Sequence, residues 1–243
     1  MMDEIFYEMF EQMPRQGPGK AEYTKRALSC CDIPDYPQIL DIGCGTGAQT
    51  LSLAENTNGL ITAVDNYGPF LRELRKKAKR SGVHKKIQTL QSDMNRLSLK
   101  QKFDLIWCEG AIYIIGFNKG LREFKKLLKP GGFMAVTEVA WIKANPPREA
   151  VVYWEKEYPA ITDTSGNINF IREAGYELVH HFIMPQDAWD EFYSALKDIA
   201  TQMQEKYKDN KEAQKIIDYA VKEIEAYKKF GAFYGYVFFI MKN

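Results

Sequence analysis

A doubly wound α/β fold built on a mostly parallel sheet is the architecture this sequence predicts. Three observations carry that expectation. Short apolar runs alternate with amphipathic segments from about residue 36 to 140. The first apolar run ends in a turn with glycines at alternate positions, Gly43, Gly45 and Gly47. The chain closes on Phe233–Met241, an aromatic and β-branched run that reads as a buried strand.

The elements follow in order. Ile5, Phe6, Met9, Phe10 and Met13 share one helical face over residues 3–13, and Pro14 to Gly19 break that helix. A second helix is expected from Lys20 to Cys30. Gln38–Ile42 reads as the first strand, Ala48–Glu55 as a helix, Leu60–Val64 as the second strand and Pro69–Ser81 as a helix. The third strand is Lys86–Leu90, and the fourth is Phe103–Cys108, apolar enough for burial on both faces. A helix over Lys119–Leu128 stops at Lys129-Pro130-Gly131-Gly132, and a fifth strand runs Phe133–Val139. Residues 141–166, with Pro146, Pro147 and Pro159, read as a long connection with at most a short helix. A helix over 167–175 and a strand over Glu177–Ile183 come next. Two amphipathic helices then span about 187–229, one carrying Trp189, Phe192, Leu196 and Met203, the other Ile217, Ala220, Ile224 and Tyr227.

The chain has 243 residues, enough for one large domain with accessory elements. Its charge is nearly balanced at +1, so no global basic bias points to nucleic acid. The four cysteines, Cys30, Cys31, Cys44 and Cys108, form no C-x-x-C pair and read as reduced structural thiols. His180 and His181 are adjacent in a strand and point to opposite faces, so no metal site is expected. Acids at Asp3, Glu4, Glu8 and Glu11 are unlike a signal peptide, and no run has membrane-spanning length. A soluble, cytoplasmic protein without membrane or nucleic-acid partners is the expectation.

The turn Asp41-Ile42-Gly43-Cys44-Gly45-Thr46-Gly47 lies between strand and helix, where a cofactor meets backbone and a helix N-terminus. Gly43, Gly45 and Ala48 also satisfy the dinucleotide pattern G-x-G-x-x-G/A. Asp41 suits a cofactor with a free ammonium group better than a pyrophosphate. Asp65, with Asn66 beside it, ends the second strand, where an acid accepts hydrogen bonds from ribose hydroxyls. Ser92-Asp93-Met94 follows the third strand, within reach of an adenine amino group, and Met94 and Tyr67 are suited to packing on the adenine faces.

These motifs, with Ala63-Val64-Asp65, Phe103-Asp104-Leu105-Ile106-Trp107 and the Leu128–Gly132 turn, resemble the class I S-adenosylmethionine-dependent methyltransferases. The likeness covers roughly residues 36–140 and is nearest to small-molecule enzymes of the methyltransferase-11 and ubiquinone-methyltransferase type. It implies a Rossmann-like, seven-stranded doubly wound sheet with an antiparallel last strand. It also implies S-adenosyl-L-methionine as cofactor, with Asp41, Gly43, Cys44, Gly45 and Gly47 on the methionine moiety, Asp65 and Asn66 on the ribose, and Ser92, Asp93 and Met94 on the adenine. Beyond that core the chain adds an N-terminal helical extension (residues 1–31) and the helical insertion at about 187–229, so substrate specificity is expected within 1–31 and 141–243.

Methyl transfer from a sulfonium needs alignment and exclusion of water, and a base only for a protonated nucleophile. Glu109, directly after the fourth strand, is expected to face the acceptor as a base or an amine-binding group, or else to bind cofactor or cap a helix. Tyr113 is a pocket wall or a packed aromatic. Tyr7, Trp141, Tyr153 and Trp154 lie in segments that can cover the crevice and attract a cation, or else pack in the core. Gln16-Gly17-Pro18-Gly19 is expected to be a lid hinge or a cofactor contact, through Gly17, or else simply to end the helix. The basic run Arg72–Arg80 reads as a solvated helix face.

The preferred reading is a methyltransferase acting on a small-molecule substrate. A nucleic-acid enzyme would place Asn/Asp-Pro-Pro-aromatic after the fourth strand, whereas Asn145-Pro146-Pro147 follows the fifth and is succeeded by Arg148. A protein arginine enzyme would want paired glutamates, and only Glu109 stands there. A non-catalytic cofactor-binding protein is the remaining alternative. The paired helices before the last strand offer either a pocket roof or a homodimer surface.

Overall fold

The computed structural model describes residues 2–243, with side chains from Glu4 onward; Met1, the first residue of the expected extension, lies outside the described residues. Helices α1 (Met2–Glu11) and α2 (Ala21–Leu28) precede a sheet whose first half is built by alternation. Strands β1 (Gln38–Ile42), β2 (Leu60–Asp65), β3 (Ile87–Gln91), β4 (Phe103–Cys108) and β5 (Leu128–Trp141) are interleaved with α3 (Ala48–Asn56), α4 (Gly68–Arg80) and α5 (Phe117–Lys125). Then come α6 (Arg148–Glu157), the two-residue β6 (Thr162–Asp163), α7 (Thr164–Glu173), β7 (Glu177–Ile183), α8 (Asp187–Lys206), α9 (Lys211–Phe230) and β8 (Tyr234–Lys242).

Seven strands run in the order β3-β2-β1-β4-β5-β8-β7, and β6 pairs with β5 as an eighth. Strands β1 to β6 pair in parallel, while β8 runs antiparallel to both β5 and β7. The connection reverses direction between β1 and β4. Such a switch point opens a crevice at the carboxyl ends of the strands.

Side chains of the central strands alternate between two cores, as a two-residue repeat requires. Leu105 and Trp107 of β4 and Phe238 and Ile240 of β8 face the side covered by α1, α2, α3, α8 and α9. Ile106, Cys108, Val237 and Phe239 face α5 and α7. Helix α1 buries Ile5 and Met9, with Met13 just beyond its end, in the first of these cores. Its outer side is tied down as well: Glu8 accepts from Lys206 Nζ at 2.7 Å and from the Tyr207 hydroxyl at 2.6 Å.

Besides the eighth strand β6, two elements differ from expectation. β5 begins at Leu128 and carries the Lys-Pro-Gly-Gly turn within it, because the C-terminal residue extends the ladder: Gly131 N–H donates to Asn243 C=O and Asn243 N–H to Gly132 C=O. The connection after β5 holds α6, a full ten residues, entered through Pro147 with Asn145 at φ +53°. Prolines there mark the start of a helix rather than its absence.

Candidate functional site

The loop after β1 is drawn shut by its own hydrogen bonds. Gly43 and Cys44 N–H both donate to Val64 C=O, and Gly47 N–H to Cys44 C=O. Gly45 N–H donates to the Asp65 carboxylate at 2.9 Å, and Thr46 N–H to the Gln16 side-chain carbonyl at 2.8 Å. Gly45 needs to be glycine: its φ is +55°, and a Cβ would lie 2.7 Å from Gln16 Oε1. Every amide from 43 to 47 is therefore spent on a protein acceptor.

A cavity of about 590 Å3 opens over this loop. One end is bounded by Gly43, Gly45, Asp65, Asn66, Ser92, Asp93 and Met94, with Gln16, Gly17 and Pro18 closing over it. The other end is an aromatic chamber walled by Tyr113, Tyr153, Trp154 and Tyr158, and by residues of α8, α9 and β8. No lysine, arginine or histidine lines either end among the described residues, whereas Asp65, Asp93, Glu157 and Glu223 do. The charged side chains of the described wall are all acidic, and aromatic rings dominate the chamber end.

The elements place these side chains for identifiable reasons. Asp65 sits at the carboxyl end of β2, where its oxygens accept from Gly45 N–H and, at 2.9 Å, from Tyr67 N–H. Burial pushes its carboxyl above the ordinary range, and those backbone donors oppose the rise. Asp93 caps a short turn by accepting from Asn95 N–H at 2.9 Å, which holds its carboxyl below the ordinary range. Gln16 bridges two parts of the wall, donating to Phe10 C=O at 3.0 Å while it accepts from Thr46. Tyr7 lines the cavity and stacks on Tyr67, ring centroids 3.7 Å apart, and the Tyr67 hydroxyl donates to Glu11 at 2.7 Å.

Of the residues singled out from sequence, Gly17, Gly43, Gly45, Asp65, Asn66, Ser92, Asp93, Met94 and Tyr113 converge on the cavity. Tyr7, Tyr153 and Trp154 do as well, but Trp141 and Tyr67 do not. Asp41, Cys44 and Gly47 lie behind the loop instead. Asp41 is fully buried and accepts from Thr50 Oγ1 at 2.5 Å and Gln49 Nε2 at 3.4 Å; burial pushes its carboxyl up to about 7, those two donors opposing. Cys44 packs with Ala63, Leu71 and Leu74. Gly47 lets α3 approach α4, since a Cβ there would lie 2.1 Å from Leu74 Cδ1. These three support the loop without facing the cavity.

Glu109 is also placed differently. Its side chain is buried, is paired with Arg15, and accepts from Thr24 Oγ1 at 3.0 Å and Trp107 Nε1 at 3.0 Å. The carboxylate is absent from the cavity wall and tethers the segment after α1 and the start of α2 to the end of β4. The run Arg72–Arg80 is solvated except at Lys77, which reaches Thr46 Oγ1 at 2.8 Å. Among the described residues no group of three or more His, Cys, Asp or Glu is placed to hold a metal, and no helix is long and apolar enough to cross a membrane.

The residues that sequence reasoning missed belong to the chamber: Glu157, Tyr158, Trp189, Phe192, Tyr193, Tyr219, Glu223 and Tyr236. Their signal was present but ambiguous, because aromatics at helical spacing on α8 and α9 describe a packed core equally well.

Residues 39–132 match the family profile described as a methyltransferase domain. The chain is 26% identical over 165 residues to the Escherichia coli protein YjhP, covering 65% of this chain and 64% of that one. The crystal structure of YjhP superposes with TM-score 0.87 at 21% identity, over 98% of both chains. A Geobacter sulfurreducens S-adenosylmethionine-dependent methyltransferase, solved with S-adenosylhomocysteine, superposes with TM-score 0.86 at 19% identity, over 98% of this chain and 97% of that one. Phosphoethanolamine N-methyltransferase 3 of Arabidopsis thaliana is 26% identical over 181 residues, 74% of this chain and 36% of the plant protein. The chain thus spans less than two thirds of the length of these two curated relatives. Its sheet order, its antiparallel last strand and the motifs along β1 to β4 agree with the matched methyltransferase domain over residues 39–132, and the chain shares the fold of these solved proteins.

Proposed function

We propose that this chain is an enzyme that transfers a methyl group from S-adenosylmethionine to a small-molecule acceptor held in the aromatic chamber. The observation that carries the proposal is the continuity of the cavity, whose two ends are a cofactor cleft and an aromatic chamber. Spent amides and the absence of lysine, arginine and histidine from the described wall suit a cationic sulfonium and are hostile to a pyrophosphate.

The residues present fit the cofactor. Asp65 would accept from the ribose hydroxyls, since a carboxylate already holding two backbone N–H groups keeps lone pairs to spare. Ser92, Asp93, Met94 and Asn66 would frame the adenine, with Tyr7 and Phe70 closing one side. Gly43, Gly45 and Gly110 would border the methionine end. When bound, S-adenosylmethionine supplies an activated methyl group with a neutral thioether as leaving group.

The chain's own work is alignment and exclusion of water. Gln16, Gly17 and Pro18 cover the cofactor end, and Gln16 pins that cover to the glycine loop. Helices α8 and α9 form the chamber roof. Tyr113 stands at the mouth, 44% exposed, edge-on to Tyr158 with ring centroids 6.2 Å apart. We assign it to the chamber wall.

Calorimetry with S-adenosylhomocysteine, followed by incubation of the full chain with tritiated S-adenosylmethionine and a metabolite extract, tests the proposal. Binding together with label in an extractable small molecule is expected. No binding, or label only in protein or nucleic acid, overturns it.

A further inference from the structure

The chamber end of the cavity holds a charge that the protein leaves unbalanced. Glu157 of α6 is compensated: Lys156 Nζ lies 3.4 Å away and the Tyr219 hydroxyl donates to it. Glu223 of α9 is not. It accepts one hydrogen bond, from the Tyr193 hydroxyl at 2.9 Å, and forms no ion pair among the described residues. Burial pushes its carboxyl above the ordinary range, with the Tyr193 hydroxyl opposing. Isolated carboxylates are costly in such surroundings unless a cation joins them.

A second observation points to a ligand independently of that charge. Trp189 is 94% buried, yet its indole Nε1–H has no hydrogen-bond partner, and the same holds for Trp154 Nε1. Both line the chamber. Buried donors left in this state are what a bound oxygen acceptor would satisfy.

We propose that the acceptor is an amine on an apolar or aromatic body that also carries an uncharged oxygen, its ammonium group held between Glu223 and the surrounding tyrosine rings. The inference rests on the methyltransferase reading given above and specifies its substrate class. Electron-rich ring faces and a desolvated carboxylate both favour a cation. With no lysine, arginine or histidine on the described wall, a phosphorylated or carboxylated amine would bring an anion that nothing here would meet. The ammonium gives one proton to the Glu223 carboxylate. The freed nitrogen lone pair then forms the N–CH3 bond as the C–S bond breaks, its electron pair staying on sulfur. The products are the thioether and a methylated ammonium, and Glu223 returns its proton to solvent.

The test reads binding without turnover. With the full chain saturated with S-adenosylhomocysteine, tryptophan fluorescence is titrated with (2-phenylethyl)trimethylammonium, which cannot be methylated, and with its uncharged carbon isostere (3,3-dimethylbutyl)benzene. The cation is expected to bind about tenfold tighter or more. Glu223→Gln should reduce that preference to about threefold or less, and Glu223→Asp should retain most of it. Equal affinity for the two probes in the unaltered protein, no binding of either, or a preference unchanged by Glu223→Gln overturns the proposal. The two readings fail separately. Loss of S-adenosylhomocysteine binding would strike the methyltransferase reading, whereas methylation confined to neutral acceptors would strike the amine alone.

Discussion

The pair between Arg15 and Glu109 is a direct test of how the N-terminal segment is held. Glu109 has only 1% of its side chain exposed, and Arg15 has 15%. Replacing Arg15 by Gln removes the cation paired with the buried Glu109 carboxylate and leaves it the Thr24 hydroxyl and the Trp107 indole, each at 3.0 Å. Removing one partner of a buried pair costs about 3–5 kcal/mol. The two surviving donors and the partial exposure of Arg15 bring the expectation to the lower end, about 2–3 kcal/mol. For a chain of this size that is a fall in Tm of roughly 4–12 °C. Glu109→Gln should cost less, because an unpaired Arg15 can turn toward water. The double variant should be more stable than the sum of the single losses predicts, with a coupling of about 1–2 kcal/mol. Thermal melts of the three variants decide the matter. A fall below about 2 °C for Arg15→Gln, or strict additivity in the double variant, would refute the tether. Affinity for S-adenosylhomocysteine should drop with the melt, since Gln16, Gly17 and Pro18 on the cavity wall follow directly after Arg15.

Three further outcomes are expected. Asp65→Ala should weaken S-adenosylhomocysteine binding by about 100-fold or more, at about 1.5–3 kcal/mol for each charged hydrogen bond lost, while the chain stays folded; undiminished calorimetric affinity would remove the ribose assignment. Glu138 is buried, its Oε2 without a partner, and burial raises its carboxyl from an ordinary 4.5 to about 8, the nearby Tyr158 hydroxyl opposing. Protonated in the fold and ionised when unfolded, it makes stability fall as pH rises between those values, at up to about 1.4 kcal/mol per pH unit. Glu138→Gln should flatten that part of a urea-denaturation pH series, and an unchanged slope would count against the burial argument. Gly47→Ala places a Cβ 2.1 Å from Leu74 Cδ1 at φ +86°, so a loss of about 2–5 kcal/mol is expected in the same assay; a loss under about 1 kcal/mol would show that α3 and α4 can part at little cost.

Much of the cofactor end was legible because its chemistry is local. Asp65 ends β2, and Ser92, Asp93 and Met94 follow β3, so strand direction alone carries them to one edge of the sheet. The helices at 187–206 and 211–230 were legible too, from apolar residues three and four apart. Glu109 lies away from the cavity wall for an equally physical reason. Its position after β4 points toward the crevice, but whether a carboxylate there is free depends on Arg15 and Thr24, which are 94 and 85 residues away in the chain.

The sequence by itself determined the parallel α/β plan, the glycine turn and the places of Asp65 and Asp93 after β2 and β3, because strand periodicity and turn chemistry act over a few residues. Only the tertiary structure decided what faces the cavity. Asp41, Cys44 and Gly47 share the turn with Gly43 and Gly45 yet lie behind it, since Thr50 and Gln49 of α3 hold Asp41 while Cys44 and Gly47 pack against Leu74 of α4. The acidic aromatic chamber arises in the same way. Its walls come from α6, α8, α9 and β8, and packing across the sheet, rather than any local pattern, brings Glu223 and the unpartnered Trp189 to one cavity.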